Sequence, residues 1–181
     1  VMETRRFLKE HPDFKVSVNV SWRQFAQEKF VQDVCDILEE EHFPASNLIL
    51  ELTEHCQALD EQILKWHIAE FHKYGVGISA DDFGSGYSVL NTIVDIPVDV
   101  IKIDRGFITS CLETDRGIYF LKHLIDMIRN LGYQIICEGV ETDEQIEILR
   151  QIGCDEIQGY WYSKPLPMED YKELLQTEKI S

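Results

Sequence analysis

The chain has 181 residues, enough for one domain with a sizeable core, and its 44% hydrophobic and 28% charged composition is that of a soluble globular protein. Its 17 basic residues against 33 acids give a net charge of −16, spread along the chain rather than gathered in a tail, a balance that repels duplex nucleic acid. There is no 18-residue apolar run, and the opening Val-Met-Glu-Thr-Arg-Arg is neither a signal nor a transit peptide, so a membrane segment is excluded and a cytoplasmic domain is expected.

In chain order the pattern alternates between strand and helix. Residues 1–11 read as the back half of a helix that starts ahead of Val1, because neither an N-cap nor a strand comes first. Lys15 to Val20 is strand-like, Phe25 to Glu41 carries Phe30, Val34, Ile37 and Leu38 at helical spacing, and Asn47 to Thr53 is a second strand. Helix 59–73, strand 76–80, helix 86–94 and strand 98–103 follow, then helix 115–131, strand 133–138, helix 142–152, strand 155–160 and a closing helix 168–176. Gly75, Gly132 and Gly153 sit where left-handed helix C-caps are wanted, while Thr142 and Pro167 precede helix starts. No linker or composition shift divides the chain.

Six apolar runs end in a polar residue suited to metal or phosphate chemistry: Asn19, Glu51, Asp81 with Asp82, Lys102, Glu138 and Gln158. Their separations of 32, 30, 21, 36 and 20 residues are about what a strand, a helix and two loops occupy. In repeated β-α units the carboxyl ends of parallel strands meet at one face, which is where an enzyme site forms.

Each position has a structural and a chemical reading. Glu51 lies in Leu-Ile-Leu-Glu-Leu, a strand apolar on both faces, where a carboxylate needs either a metal or a salt-bridge partner. Asp81 and Asp82 leave their strand together and, by strand alternation, point in different directions. Adjacent acids of this kind persist around divalent cations or in a solvated capped turn. Lys102 and Asp104, two apart, share a strand face and alone would more often mean an ion pair than catalysis. Glu138 ends an apolar strand ahead of Gly139, and Gln158 offers an amide ahead of Gly159. Together they form a hard, oxygen-rich set suited to Mg²⁺ or Mn²⁺ and phosphoryl chemistry.

Other signals are weaker. Asp82-Phe83-Gly84 matches the magnesium-binding tripeptide of protein kinases, but no accompanying glycine-rich loop or His-Arg-Asp motif is present. Gly75-x-Gly77 has no third glycine for a dinucleotide fingerprint. The six histidines show no metal-ligand spacing. Five cysteines without Cys-x-x-Cys argue against a disulfide framework, and Cys137 and Cys154 read as buried thiols.

In order and spacing, Ser17-Val-Asn-Val-Ser21, Glu51-Leu-Thr-Glu54, Asp81-Asp-Phe-Gly-Ser-Gly-Tyr-Ser88, Lys102-Ile-Asp104, Glu138-Gly-Val-Glu141 and Gln158-Gly-Tyr160 with Lys164-Pro-Leu-Pro167 resemble the EAL domain family. That resemblance covers essentially the whole chain. It implies an α/β, TIM-barrel-like fold and a phosphodiesterase that opens cyclic dimeric GMP to linear pGpG with Mg²⁺ or Mn²⁺. It also implies Asn19, Glu51, Asp81 and Asp82 as metal ligands and Lys102 beside the attacking water, as base or electrostatic anchor. Glu138 would support the second metal or its water, Gln158 would partner the water cluster, and Glu54 would steady the loop of Phe83 to Ser88, where Ser85 replaces the family's Thr.

The departure from the family is at the front, where the Glu-Ala-Leu segment, its metal-binding Glu and the Arg shortly after it are absent. Residues 1–181 are therefore expected to be a single, N-terminally truncated EAL-type domain with about six of eight barrel strands, an incomplete metal site and weak or no hydrolysis. Open sheet edges would favour a homodimer or other self-association. The alternatives are a degenerate EAL module that binds cyclic dimeric GMP or a protein partner without cleaving it, and an unrelated metal-dependent TIM-barrel hydrolase.

Overall fold

The protein is described by a computed structural model covering residues 8, 11–53, 60–84 and 96–177. Six strands form one all-parallel sheet in sequential order: β1 (Val16–Val20), β2 (Leu48–Leu52), β3 (Gly77–Phe83), β4 (Val100–Ile103), β5 (Gln134–Glu138) and β6 (Glu156–Gln158). The connecting helices are α1 (Trp22–Phe25), α2 (Phe30–Glu40), α3 (Glu61–Tyr74), α4 (Arg105–Leu112), α5 (Asp115–Asn130) and α6 (Asp143–Ile152), with α7 (Met168–Thr177) closing the chain. Sequential parallel strands with helices between most of them among the described residues make the wall of a TIM-like barrel. The six strands seen match the six expected.

Period-two alternation sorts each strand into two faces. Leu50, Ile78, Ile101, Ile135 and Cys137 lie on one face and belong to the main core, together with Phe71 of α3 and Leu121, Ile125 and Ile128 of α5. The other face carries Asn19, Glu51, Ser79, Asp81, Lys102, Glu138 and Gln158. One face of the sheet thus supplies stability and the other supplies chemistry.

Local chemistry explains the helix boundaries. Thr142 opens α6 with a full capping box, its hydroxyl accepting from Gln145 N while the Gln145 amide accepts from Thr142 N. Gly75 (φ 87°) and Gly153 (φ 83°) close α3 and α6 in the left-handed conformation.

Three expectations change. The helix read over Phe25 to Glu41 divides, because Ser21 and Gln24 cap each other around the single turn of α1 before the chain restarts at Phe30. The strand read over 76–80 runs on through both aspartates to Phe83. Helix α4, not anticipated, starts directly after β4 because Asp104 accepts a hydrogen bond from Phe107 N as its N-cap. Most of the helix expected over 1–11, and all of that over 86–94, lie outside the described residues, although Leu8 is helical and buried.

Candidate active site

The site is assembled by sheet register. Asn19 is paired with Glu51, Glu51 with Ser79, Ser79 with Val100, Lys102 with Ile136, and Glu138 with Gln158. Paired residues on parallel neighbours share a face, so these side chains converge although they come from six separate segments.

A bulge in the sheet corrects one sequence expectation. Ala80 pairs with Ile101 and Phe83 with Ile103, so Asp81 and Asp82 together stand opposite Lys102 alone. Asp82 takes φ 59°, a left-handed conformation that aspartate tolerates better than most residues. Simple alternation would have sent the two carboxylates to opposite faces. The extra residue and the left-handed turn instead bring oxygens of Asp81, Asp82 and Glu138 within 4.8 Å of one another.

Lys102 is the hub. Its Nζ lies 2.7 Å from Glu138 Oε1, 3.0 Å from Glu51 Oε1 and 3.5 Å from Asp81 Oδ1. Lys102 and Glu51 are only 4% and 7% exposed, so these contacts are sheltered from water. Burial opposes the ammonium's charge, but the hydrogen bonds it donates to Glu138 and Glu51 and the charges of Glu138 and Asp81 outweigh it and raise the Lys102 pKa well above the ordinary value. Lys102 therefore stays charged at neutral pH. The ion pair with Asp104 does not form, since Asp104 is spent on capping α4.

The Glu138 pKa is also raised, first by burial, with Asp81 and Glu51 adding to it against the opposing pull of Lys102. Glu51, Asp81 and Glu138 share this single ammonium, and Asp82 lies beside Asp81 and Glu138, so acids outnumber the Lys102 cation within the cluster. A half-buried surplus of this kind, made only of hard oxygen donors, fits Mg²⁺ or Mn²⁺.

The expected residues divide into a centre and a rim. Glu51, Asp81, Asp82, Lys102 and Glu138 are brought together. Asn19 and Gln158 share the face by register but are exposed at the two flanks of the sheet. Glu54 and Ser85 lie outside the described residues. Glu51 is in a salt bridge, the structural alternative left open by its sequence, but with another residue of the same centre.

Two residues were missed. Ser79, beside Glu51 on the inner face, is 1% exposed and its hydroxyl has no hydrogen-bond partner. The signal was a lone hydroxyl in Val76-Gly-Ile-Ser-Ala, two places before Asp81. Arg105 pairs with Glu141 at 2.9 Å, tying the start of α4 to the turn after β5. A cation directly after Lys102-Ile-Asp104 was its only trace.

Fold and site together define a TIM-barrel-like domain with an acidic centre, able in principle to hold a metal ion, at the carboxyl ends of its strands. The family described as the EAL domain matches residues 1–165. The chain belongs to the EAL domain family. It is 37% identical over 155 residues to the oxygen sensor protein DosP of Escherichia coli, covering 86% of this chain and 19% of that protein. It is 36% identical over 159 residues to the bifunctional diguanylate cyclase/cyclic di-GMP phosphodiesterase MucR of Pseudomonas aeruginosa, covering 88% and 23% respectively. The chain thus spans about a fifth of the length of these curated relatives.

Among solved structures, the EAL domain of Mycobacterium smegmatis DcpA superposes with a TM-score of 0.89 at 30% identity, covering 97% of this chain and 80% of that one. A MucR phosphodiesterase in complex with cyclic di-GMP gives 0.85 at 35% identity, covering 94% and 69%. The half-barrel of six parallel strands is thereby placed within the TIM-barrel-like EAL fold. No helix among the described residues is long and apolar enough to cross a membrane.

Proposed function

We propose that this chain carries the chemistry of a cytoplasmic, metal-dependent phosphodiesterase acting on cyclic dimeric GMP to give linear pGpG, with hydrolysis weak or absent in the 181 residues taken alone. The observation that carries the reading is the buried lysine shared by three carboxylates, with Asp82 beside two of them. The relatives support it, since MucR is a cyclic di-GMP phosphodiesterase by name and a MucR phosphodiesterase is solved with cyclic di-GMP.

In this reading Asn19, Glu51, Asp81 and Asp82 hold Mg²⁺ or Mn²⁺. Bound cations would supply positive charge to the phosphoryl oxygens and acidify the attacking water. Lys102 acts as an electrostatic anchor rather than a base, because its partners keep it protonated. It fixes three carboxylates and presents a charge toward the reacting phosphate. Glu138, with its raised pKa, is the group suited to accept a proton from water. Gln158 beside it offers an amide to orient that water. Glu54 and Ser85 keep the role the family resemblance implies, as supports of the loop after Phe83.

The same reading takes residues 1–181 as one EAL-type unit without a Glu-Ala-Leu segment, since no such tripeptide occurs in them. The second reading is a module that binds cyclic dimeric GMP or a protein partner without cleaving it.

Self-association belongs to the proposal. The edge strand β1 and helix α2 enclose an apolar groove of 250 Å³ lined by Val18, Val34 and Ile37, with Val18 44% and Ile37 49% exposed. We take a second copy as its occupant. A strictly monomeric species by light scattering at high concentration would remove this part.

The test is chromatography of cyclic dimeric GMP incubated with the chain and Mg²⁺ or Mn²⁺, with Glu51→Gln alongside and binding measured in parallel. Linear dinucleotide that disappears in the variant establishes hydrolysis. Binding without cleavage favours the second reading. Neither binding nor cleavage overturns the phosphodiesterase reading and leaves only a protein partner for the second.

A further inference from the structure

Behind the acidic face, two thiols meet that the proposed chemistry does not use. Cys137 of β5 is fully buried, and Cys154, in the turn between α6 and β6, is partly exposed. Their sulfurs are 3.1 Å apart, about 1 Å beyond disulfide bonding distance. Cys154 Sγ also lies 3.0 Å from the Glu156 carbonyl. That carbonyl can only accept, so it takes the Cys154 thiol proton and leaves the Cys137 proton to point at the Cys154 sulfur. The sulfurs are therefore aligned for direct contact, with no side chain between them. The other described cysteines, Cys35 and Cys111, are buried elsewhere.

We propose that Cys137 and Cys154 form a reversible disulfide under peroxide, clamping edge strand β6 to β5. Cys154, the reachable thiol, attacks the peroxide O–O bond and takes one oxygen as sulfenic acid, its proton leaving with the other oxygen as water. The Cys137 sulfur then attacks the Cys154 sulfur, and the S–O bond breaks. The hydroxyl departs with the Cys137 proton as a second water. Two thiols lose two electrons and two protons, and one peroxide becomes two waters.

The clamp follows from where the residues stand. β6 is a three-residue edge strand held through its pairing with β5. Cys137 directly precedes Glu138, and Cys154 lies four residues before Gln158, so the bond would tie together the two strands that present those side chains.

The test treats the whole chain with hydrogen peroxide, blocks free thiols and digests with trypsin without reduction. Cleavage after Arg129, Arg150 and Lys172, with Lys164 spared by the following proline, places Cys137 in peptide 130–150 and Cys154 in peptide 151–172. The expected result is a cross-link between these two peptides that a dithiol reductant separates. Amide hydrogen exchange over residues 155–160 is expected to slow about tenfold in the oxidised form. Cys154→Ser, which keeps a donor for the Glu156 carbonyl, is expected to abolish both effects. A cross-link between other cysteines, oxidation of Cys154 to sulfinic acid with no link, or a link without slowed exchange would overturn the proposal.

Discussion

The Lys102 ammonium lies 2.7 Å from Glu138 Oε1, yet the Glu138 pKa is raised rather than lowered. Burial is the leading cause, and Asp81 and Glu51 compete for the same cation. One ammonium is shared among three carboxylates, an imbalance that would favour a divalent ion.

Removing the hub should expose this imbalance. Lys102→Met keeps the side-chain volume but leaves Glu51, Asp81 and Glu138 without their shared cation, with an expected cost of about 3–5 kcal/mol in chelator-treated protein. Added Mn²⁺ should raise the melting temperature of the variant more than that of the parent chain, because the ion takes over part of the lost charge. Denaturant midpoints and thermal melts with and without metal measure both effects. Equal metal responses would show that the cluster does not bind the ion.

Asp82 separates backbone from charge. Asparagine also tolerates the left-handed conformation, so Asp82→Asn should preserve the bulge at Asp81-Asp82 while removing one carboxylate. The expected outcome is a retained fold and Mn²⁺ affinity lower by about tenfold or more in calorimetry. Asp82→Val, which cannot adopt that conformation without strain, should instead lower stability as well.

His67 sets a pH limit on stability. It is 2% exposed and packs edge-on against Phe25 at 5.2 Å. Its pKa is lowered, chiefly by desolvation, with the Ile63 and Gln27 backbones opposing part of the shift. The unfolded chain therefore binds a proton near pH 6.5 while the folded chain does not, so stability falls as pH drops below about 6.5 and levels off once the folded-state pKa is passed. Equilibrium unfolding between pH 7.5 and 5 should show this slope, and His67→Phe should flatten it.

Phe25 anchors the junction of α1, α2 and α3. It is fully buried, with ring centroids 5.9 Å from Phe30 and 6.0 Å from Phe71. Phe25→Ala should cost about 3–5 kcal/mol in chemical denaturation, since the fixed rings around it cannot collapse into the space.

Much of this protein was legible from local pattern. Strand alternation, the Thr142 cap and the αL glycines act within a few residues, so the order of elements and the positions of Glu51, Lys102, Glu138 and Gln158 at strand ends could be read directly from the chain. The acidic character of the site was legible for the same reason, being a property of residue type.

Tertiary structure decided which of these residues meet. Lys102 found Glu51, Asp81 and Glu138, from three other strands, instead of its near neighbour Asp104, because parallel register outranks sequence distance. Asp81 and Asp82 share a face only because a bulge against β4 breaks the alternation, and a bulge is a relation between two strands that neither strand's sequence contains. The contact between Cys137 and Cys154 likewise needed β5 and the α6–β6 turn to be packed together. The sequence by itself determined the elements and the donor set, while the pairing of distant strands decided the geometry in which those donors act.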